Sequence, residues 1–127
     1  MDALTRESAA ALFERRRRAW LDGDTEAYLA LRANDMVIEL PGREAPIEGK
    51  PRYARLIDAS MRRMQPIDWE FHSLAIDGDR VLAEWTIESE VRDEGRRVRW
   101  RGMSICRIRR GLICEWREYW EPTRLQP

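Results

Sequence analysis

The sequence predicts an α+β domain in which a curved sheet wraps its helices. Three observations lead there. The first half carries apolar residues at helical spacing, and the second half carries long runs that alternate between apolar and polar. Three glycine-bearing turns divide those runs. At 127 residues the chain fits one domain, taken as residues 1–127, with enough length to bury a core.

The elements follow in order. From about Thr5 to Leu21, Ala9, Leu12, Phe13, Ala19 and Trp20 recur as on one face of a helix. Asp22-Gly23-Asp24 breaks this helix, and Asp24 can cap a short second one from Thr25 to Leu31. Met36 to Leu40 reads as a short strand stopped by Pro41-Gly42. Pro51 suits the first turn of a third helix, whose buried stripe is Tyr53, Leu56, Ile57, Ser60, Met61 and Met64, with Pro66 ending it. Strands near Asp68–Ile76, Val81–Val91, Arg97–Ile108 and Leu112–Trp120 are separated by Asp77-Gly78-Asp79, Asp93-Glu94-Gly95 and Arg109-Arg110-Gly111.

Alternation along these strands sorts their faces. Val81, Ala83, Trp85, Ile87, Ser89 and Val91 share one nearly apolar face, and Glu84, Thr86, Glu88 and Glu90 share the other. On the next strand Val98, Trp100, Gly102, Ser104, Cys106 and Ile108 lie opposite a row of arginines. In the last strand Cys114, Trp116, Glu118 and Trp120 share a face. The concave side of the sheet is therefore expected to gather Trp85, Trp100, Trp116 and Trp120 around one carboxylate.

Composition excludes several classes of function. Basic and acidic residues cancel, 23 against 23, so no global field draws the protein to nucleic acid or to a membrane surface. The arginines of the outer face have glutamates one strand away, where opposite charges pair, and no aromatic residues interleave with them as single-strand binders require. No segment approaches the about 20 apolar residues of a membrane span, and the opening residues lack the basic–apolar–small order of a secretory signal. A reducing, cytoplasmic setting is expected, with Cys106 and Cys114 as small buried thiols. Two cysteines and one histidine cannot build a zinc site of Cys and His alone.

Two residues carry the strongest chemical signal. Glu118 stands between indoles on its own face, an apolar setting that raises a carboxyl pKa and suits it to proton transfer. A three-residue turn at Arg109-Arg110-Gly111 would place Cys106 opposite Cys114 and Gly102 opposite Glu118, leaving room above the carboxylate. Arg16 falls inside the apolar stripe of the first helix, between Leu12 and Phe13, and a buried guanidinium must find a partner. It can pair with Glu118 or Glu39, or hold a substrate carboxylate or enolate. Alternation turns Glu39 away from the core. His72 reads as a partly exposed strand residue, and Tyr53 and Ser60 can add hydroxyls at a pocket mouth.

Trp20-Leu21-Asp22-Gly23-Asp24, Glu39-Leu40-Pro41 and Gly111-Leu-Ile-Cys-Glu-Trp-Arg-Glu-Tyr-Trp120, in this order of elements, resemble the nuclear transport factor 2-like superfamily. Within it the chain looks most like the SnoaL-like polyketide cyclases and limonene epoxide hydrolases, with ketosteroid isomerase as a cousin. The resemblance covers roughly residues 8 to 122. It implies a cone, a bent sheet closed by about three helices around a pocket, often dimerising through the sheet. In the cyclases and epoxide hydrolases the last strand bears a pocket aspartate used in acid–base chemistry, and Glu118 matches that position. The arginine and aspartate of the epoxide hydrolases match Trp85 and Ile87, so their charged pair is missing. The base, tyrosine and protonated aspartate of ketosteroid isomerase match Leu40, Arg16 and Ser104. A water-holding asparagine of the epoxide hydrolases matches Glu39, which argues against the outward orientation that alternation gives it.

The expectation is a cofactor-independent protein that binds a small apolar or aromatic ligand. As an enzyme it would act as an isomerase, cyclase or hydrolase, with Glu118 as general acid–base and Arg16 stabilising negative charge. Trp20, Glu39, Leu40, Tyr53, Trp85, Ile87, Trp100, Ser104, Trp116 and Trp120 are the expected ligand-binding residues. The alternative is a non-catalytic ligand-binding or dimerisation module that uses the outer sheet around Met103 and Ile105.

Overall fold

The computed structural model describes residues 4–121 and 124–125. Three helices, α1 (Arg6–Leu21), α2 (Thr25–Ala30) and α3 (Lys50–Arg63), pack against a curved, unclosed sheet. The strands are β1 (Arg32–Glu39), β2 (Ile47–Glu48), β3 (Met64–Asp77), β4 (Arg80–Val91), β5 (Arg96–Arg109), β6 (Leu112–Trp120) and β7 (Arg124–Leu125). Their order is β2-β1-β6-β5-β4-β3, and β7 pairs with β5 beyond the end of β6. Neighbours run antiparallel except β1 and β6, which are parallel.

Local chemistry fixes the helix starts. The Thr5 hydroxyl accepts from the Ser8 amide at 3.0 Å, and Asp24 Oδ1 accepts from the Ala27 amide at 3.0 Å. Helix α1 lies on β3 and α2, and α3 lies on β1, α2 and β3. The buried face of α1 is Ala9, Leu12, Phe13, Arg16 and Ala19, so the guanidinium does enter the core. Val81, Ala83, Trp85, Ile87 and Ser89 are buried together on β4, as alternation requires. Opposite them, Arg97 on the outer face bridges Glu88 at 2.9 Å and Glu90 at 3.6 Å.

Three expectations need correction. Strand β1 begins at Arg32 rather than Met36, because its first residues pair with β6 despite their mixed polarity. Met64 is not the last turn of α3 but the first residue of β3, and Pro66 sits inside that strand. Strand β3 is the sheet edge, where a missing N–H costs no ladder bond, and the register shifts beside the proline.

The third correction concerns the β5–β6 hairpin. Its loop is the two residues Arg110 and Gly111, at φ 55° and 77°, the geometry of a type I′ turn. Arg109 faces Leu112 and Ile108 faces Ile113, and Cys114 is then an unpaired bulge before Arg107 faces Glu115. Cys106 consequently lies opposite Trp116 rather than Cys114, and both thiols are free. Ser104, not Gly102, faces Glu118. Gly102 serves a different purpose: a Cβ there would come within 2.5 Å of the Trp85 ring and 2.7 Å of the Tyr119 carbonyl. It makes room for the indole of Trp85 rather than for a ligand.

Candidate functional site

Between the concave face and the helices lies a cavity of about 330 Å³. Its walls are mostly apolar: Trp20 from α1, Ile38 and Leu40 at the end of β1, Leu56 and Ile57 from α3, Trp69, Trp85, Ile87, Val98, Trp100 and Trp120 from the sheet. Arg16, Tyr28, Tyr53, Ser60, Ser89 and Glu118 supply the polar groups. Glu118 is the single carboxylate among the lining residues.

Glu118 is held by one contact. The Trp116 indole Nε1 donates to its Oε1 at 2.7 Å. Burial pushes the carboxyl above the ordinary glutamate value of 4.5. The Trp116 hydrogen bond and the charges of Arg16 and Arg32 pull it only part of the way back. Neither guanidinium forms an ion pair with Glu118, so among the described residues the acid has no salt bridge.

Two buried cations stand behind this acid. Arg16 and Arg32 are only 3% and 1% exposed, and aromatic faces do much of the work a carboxylate would do. The Arg16 guanidinium carbon is 4.1 Å from the Trp116 ring centroid and 4.4 Å from that of Trp69. Arg32 lies 4.7 Å from Tyr53, 4.9 Å from Tyr28 and 5.3 Å from Trp116. Each guanidinium donates to one shared acceptor, the Tyr28 hydroxyl, from Arg32 Nη2 at 2.9 Å and Arg16 Nη2 at 3.3 Å. The hydroxyls of Tyr28 and Tyr53 share a further hydrogen bond of 3.3 Å.

This cluster splits two chemically identical phenols. Burial disfavours the phenolate at Tyr28, but the charges of Arg16 and Arg32 and the Tyr53 hydrogen bond outweigh it, and its pKa falls below the ordinary value. At Tyr53 burial prevails, and its pKa rises well above that value. Arg32 is the member that the sequence reading missed. It opens β1 among Asn34 and Asp35, ahead of the apolar run that marks the strand, and no period made it conspicuous.

Of the expected site residues, Glu118, Arg16, Trp20, Leu40, Tyr53, Trp85, Ile87, Trp100 and Trp120 all line this cavity. Three others do not. Glu39 faces outward and lies 3.6 Å from Arg117, because alternation on β1 prevails over its position before the proline. Ser104 is buried behind the wall, where it accepts from Trp85 Nε1 at 3.2 Å. Trp116 is also behind the wall, bearing on Glu118 through its N–H. His72 is outside the cavity, with Nε2 2.6 Å from the Thr86 hydroxyl. Among the described residues no group of three His, Cys, Asp or Glu is placed to hold a metal ion, and no helix is long and apolar enough to cross a membrane.

Similar folds are numerous among solved structures. An LEH-like epoxide hydrolase of M. tuberculosis is 25% identical, with TM-score 0.77 over 91% of this chain and 84% of that one. A Δ5-3-ketosteroid isomerase of Mycobacterium sp. is 21% identical, with TM-score 0.81 over 94% of this chain and 98% of that one. A computationally designed 17-OHP binder is 24% identical, with TM-score 0.80 over 94% and 98% of the two chains. No curated protein matches in sequence. The family model for the SnoaL-like domain matches residues 13–116, and the chain therefore belongs to the SnoaL-like family.

Proposed function

We propose that this protein binds a small, largely apolar or aromatic molecule in its cavity and moves a proton on it without a cofactor, as an isomerase, cyclase or hydrolase. One observation carries the reading: the only carboxylate on the cavity wall among the described residues is desolvated, has a raised pKa, and keeps Oε2 free of any described hydrogen bond. A carboxylate with a raised pKa is a stronger base than an exposed one, and general acid–base catalysis contributes roughly 10²–10⁴-fold. Similar folds include a hydrolase, an isomerase and a designed binder, so the general kind of activity agrees with them.

In the proposed step Glu118 Oε2 takes a proton from carbon beside a carbonyl. The electron pair of that C–H bond forms a C=C bond to the carbonyl carbon, and the carbonyl π pair moves to the oxygen to give an enolate. The positive field of Arg16 and Arg32, delivered through the Tyr28 and Tyr53 hydroxyls, stabilises the oxygen while the neutral Glu118 carboxyl returns the proton to carbon. The charged pair of the epoxide hydrolases is replaced by Trp85 and Ile87, so water addition would need a different route. A homodimer through the outer sheet face, where Met103 and Tyr119 stand exposed side by side, is part of the same proposal.

Deuterium exchange into β-tetralone, a bicyclic ketone with an acidic C–H, tests the step without knowledge of the natural substrate. Wild-type protein should accelerate exchange followed by NMR, and Glu118→Gln should abolish the acceleration while keeping the melting temperature within a few degrees. Binding of the ketone without exchange would sink the catalytic reading and leave a binding protein.

A further inference from the structure

Several N–H groups of the residues that line the cavity have no hydrogen-bond acceptor. Arg16 Nε and Nη1, Trp20 Nε1 and Trp69 Nε1 are buried without a hydrogen-bond partner, and all three residues line the cavity. Arg32 Nε and Nη1, behind the same wall, are also unpartnered. Buried N–H groups left unpaired carry a desolvation cost, larger when the group is charged, so an arrangement of this kind favours a ligand that brings an acceptor. Cation–π contact offsets part of the charge but does not accept an in-plane guanidinium N–H.

The three cavity-lining residues that carry these donors are neighbours. The Arg16 guanidinium lies 4.4 Å from the Trp69 ring, and the Trp20 and Trp69 rings are 6.1 Å apart at 79°. Against two guanidiniums the cavity wall offers one carboxylate, Glu118, which neither guanidinium reaches. The remainder of the wall suits rings. A neutral apolar ligand would leave every one of these donors unpaired; a ligand ending in a carboxylate would satisfy several at once.

Resting on the cavity reading above, we infer that the ligand is an aromatic or alicyclic carboxylate, its carboxylate seated toward Arg16, Trp20 and Trp69 and its ring body toward Trp85, Trp100 and Trp120. Arginine and indole N–H donors are complementary to a planar carboxylate, and the ionised acceptor makes each bond stronger than a neutral one would be. This assigns Arg16, Trp20 and Trp69 to recognition, leaves Arg32 with the Tyr28 and Tyr53 hydroxyls to stabilise the enolate oxygen, and leaves Glu118 free for chemistry on the ring body.

Naphthalene-carboxylate and its primary amide form a matched pair in shape, and quenching of intrinsic tryptophan fluorescence reads their binding to the full chain. The carboxylate should bind at least about tenfold tighter than the amide at neutral pH. Trp69→Phe, which keeps an aromatic ring but removes the N–H, should weaken the carboxylate several-fold and the amide by less, because the ionised acceptor makes the stronger bond. Arg16→Met should erase the preference; the wild-type comparison stands by itself if that variant does not fold. Equal affinity for the two probes, or tighter binding of the amide, overturns the carboxylate assignment and spares the cavity reading. Binding of neither overturns both.

Discussion

The indole of Trp116 joins the cavity acid to the buried cations: its Nε1 donates to Glu118 Oε1 at 2.7 Å, and its ring centroid lies 4.1 Å from the Arg16 guanidinium carbon. A cation over an indole face draws electron density toward itself and makes the indole N–H a better donor. Glu118 thus feels Arg16 without an ion pair, which would have fixed it in the ionised state. Trp116→Phe keeps a ring for the cations but removes the donor. The Glu118 pKa should then rise further, read from its carboxyl infrared band across a pH series, and stability should fall by about 1–3 kcal/mol. An unchanged titration would show that the indole contact does not tune the acid.

Glu118 also sets a pH dependence of stability. Its folded pKa lies above its ordinary value of 4.5, so the native state binds this proton more tightly than the unfolded chain does. The contribution is fully present below 4.5 and is lost as pH rises through the folded value. The melting temperature of wild type relative to Glu118→Gln should therefore decline as pH rises above 4.5, because glutamine has no proton to lose. Parallel curves for the two proteins would contradict the raised pKa.

Tyr28 predicts the opposite sign at alkaline pH. Its folded pKa is depressed, so its contribution appears as pH rises through that value and is complete above the ordinary phenol value of 10.0. The chain has 3 tyrosines, so the phenolate absorbance titration should resolve one early step, lost in Tyr28→Phe. The same variant strips both guanidiniums of their shared acceptor, and a loss of about 3 kcal/mol is expected in chemical denaturation. Retention of the early step in the variant would assign it elsewhere.

The parts of this site that follow from periodicity were legible in the sequence. Strict alternation placed Trp85, Trp100 and Trp120 on the concave face, and a hundred degrees per residue placed Arg16 inside the apolar stripe of α1. What escaped depended on single residues that break a period. The two-residue turn at Arg110-Gly111 and the bulge at Cys114 each shifted the pairing of β6 by one, so that Ser104 rather than Gly102 met Glu118, and nothing in a run of alternating residues marks an extra unpaired one. Arg32 escaped for a related reason, since its burial comes from three aromatic neighbours on separate elements. Glu39 shows the converse: alternation turned it outward, and positional similarity to a relative did not override the pleat.

Gly102 tests whether the cavity wall depends on this register. The ring of Trp85 occupies the space a side chain would take, with its Nε1 held by Ser104 at 3.2 Å. Gly102→Ala places a methyl group between that ring and the Tyr119 carbonyl, and neither the carbonyl nor the hydrogen-bonded indole can yield freely. The expected cost is about 1–3 kcal/mol of stability, as for other overpacked interiors. The Trp85 ring must move toward the cavity that it lines, so affinity for a naphthalene-sized probe should fall along with stability. Pairing Gly102→Ala with Trp85→Phe, which vacates part of the space, should recover most of the lost stability, since contacting sites couple rather than add. Additive losses in that double variant would mean that the strain lies in the backbone beside Tyr119 and not in the wall of the site.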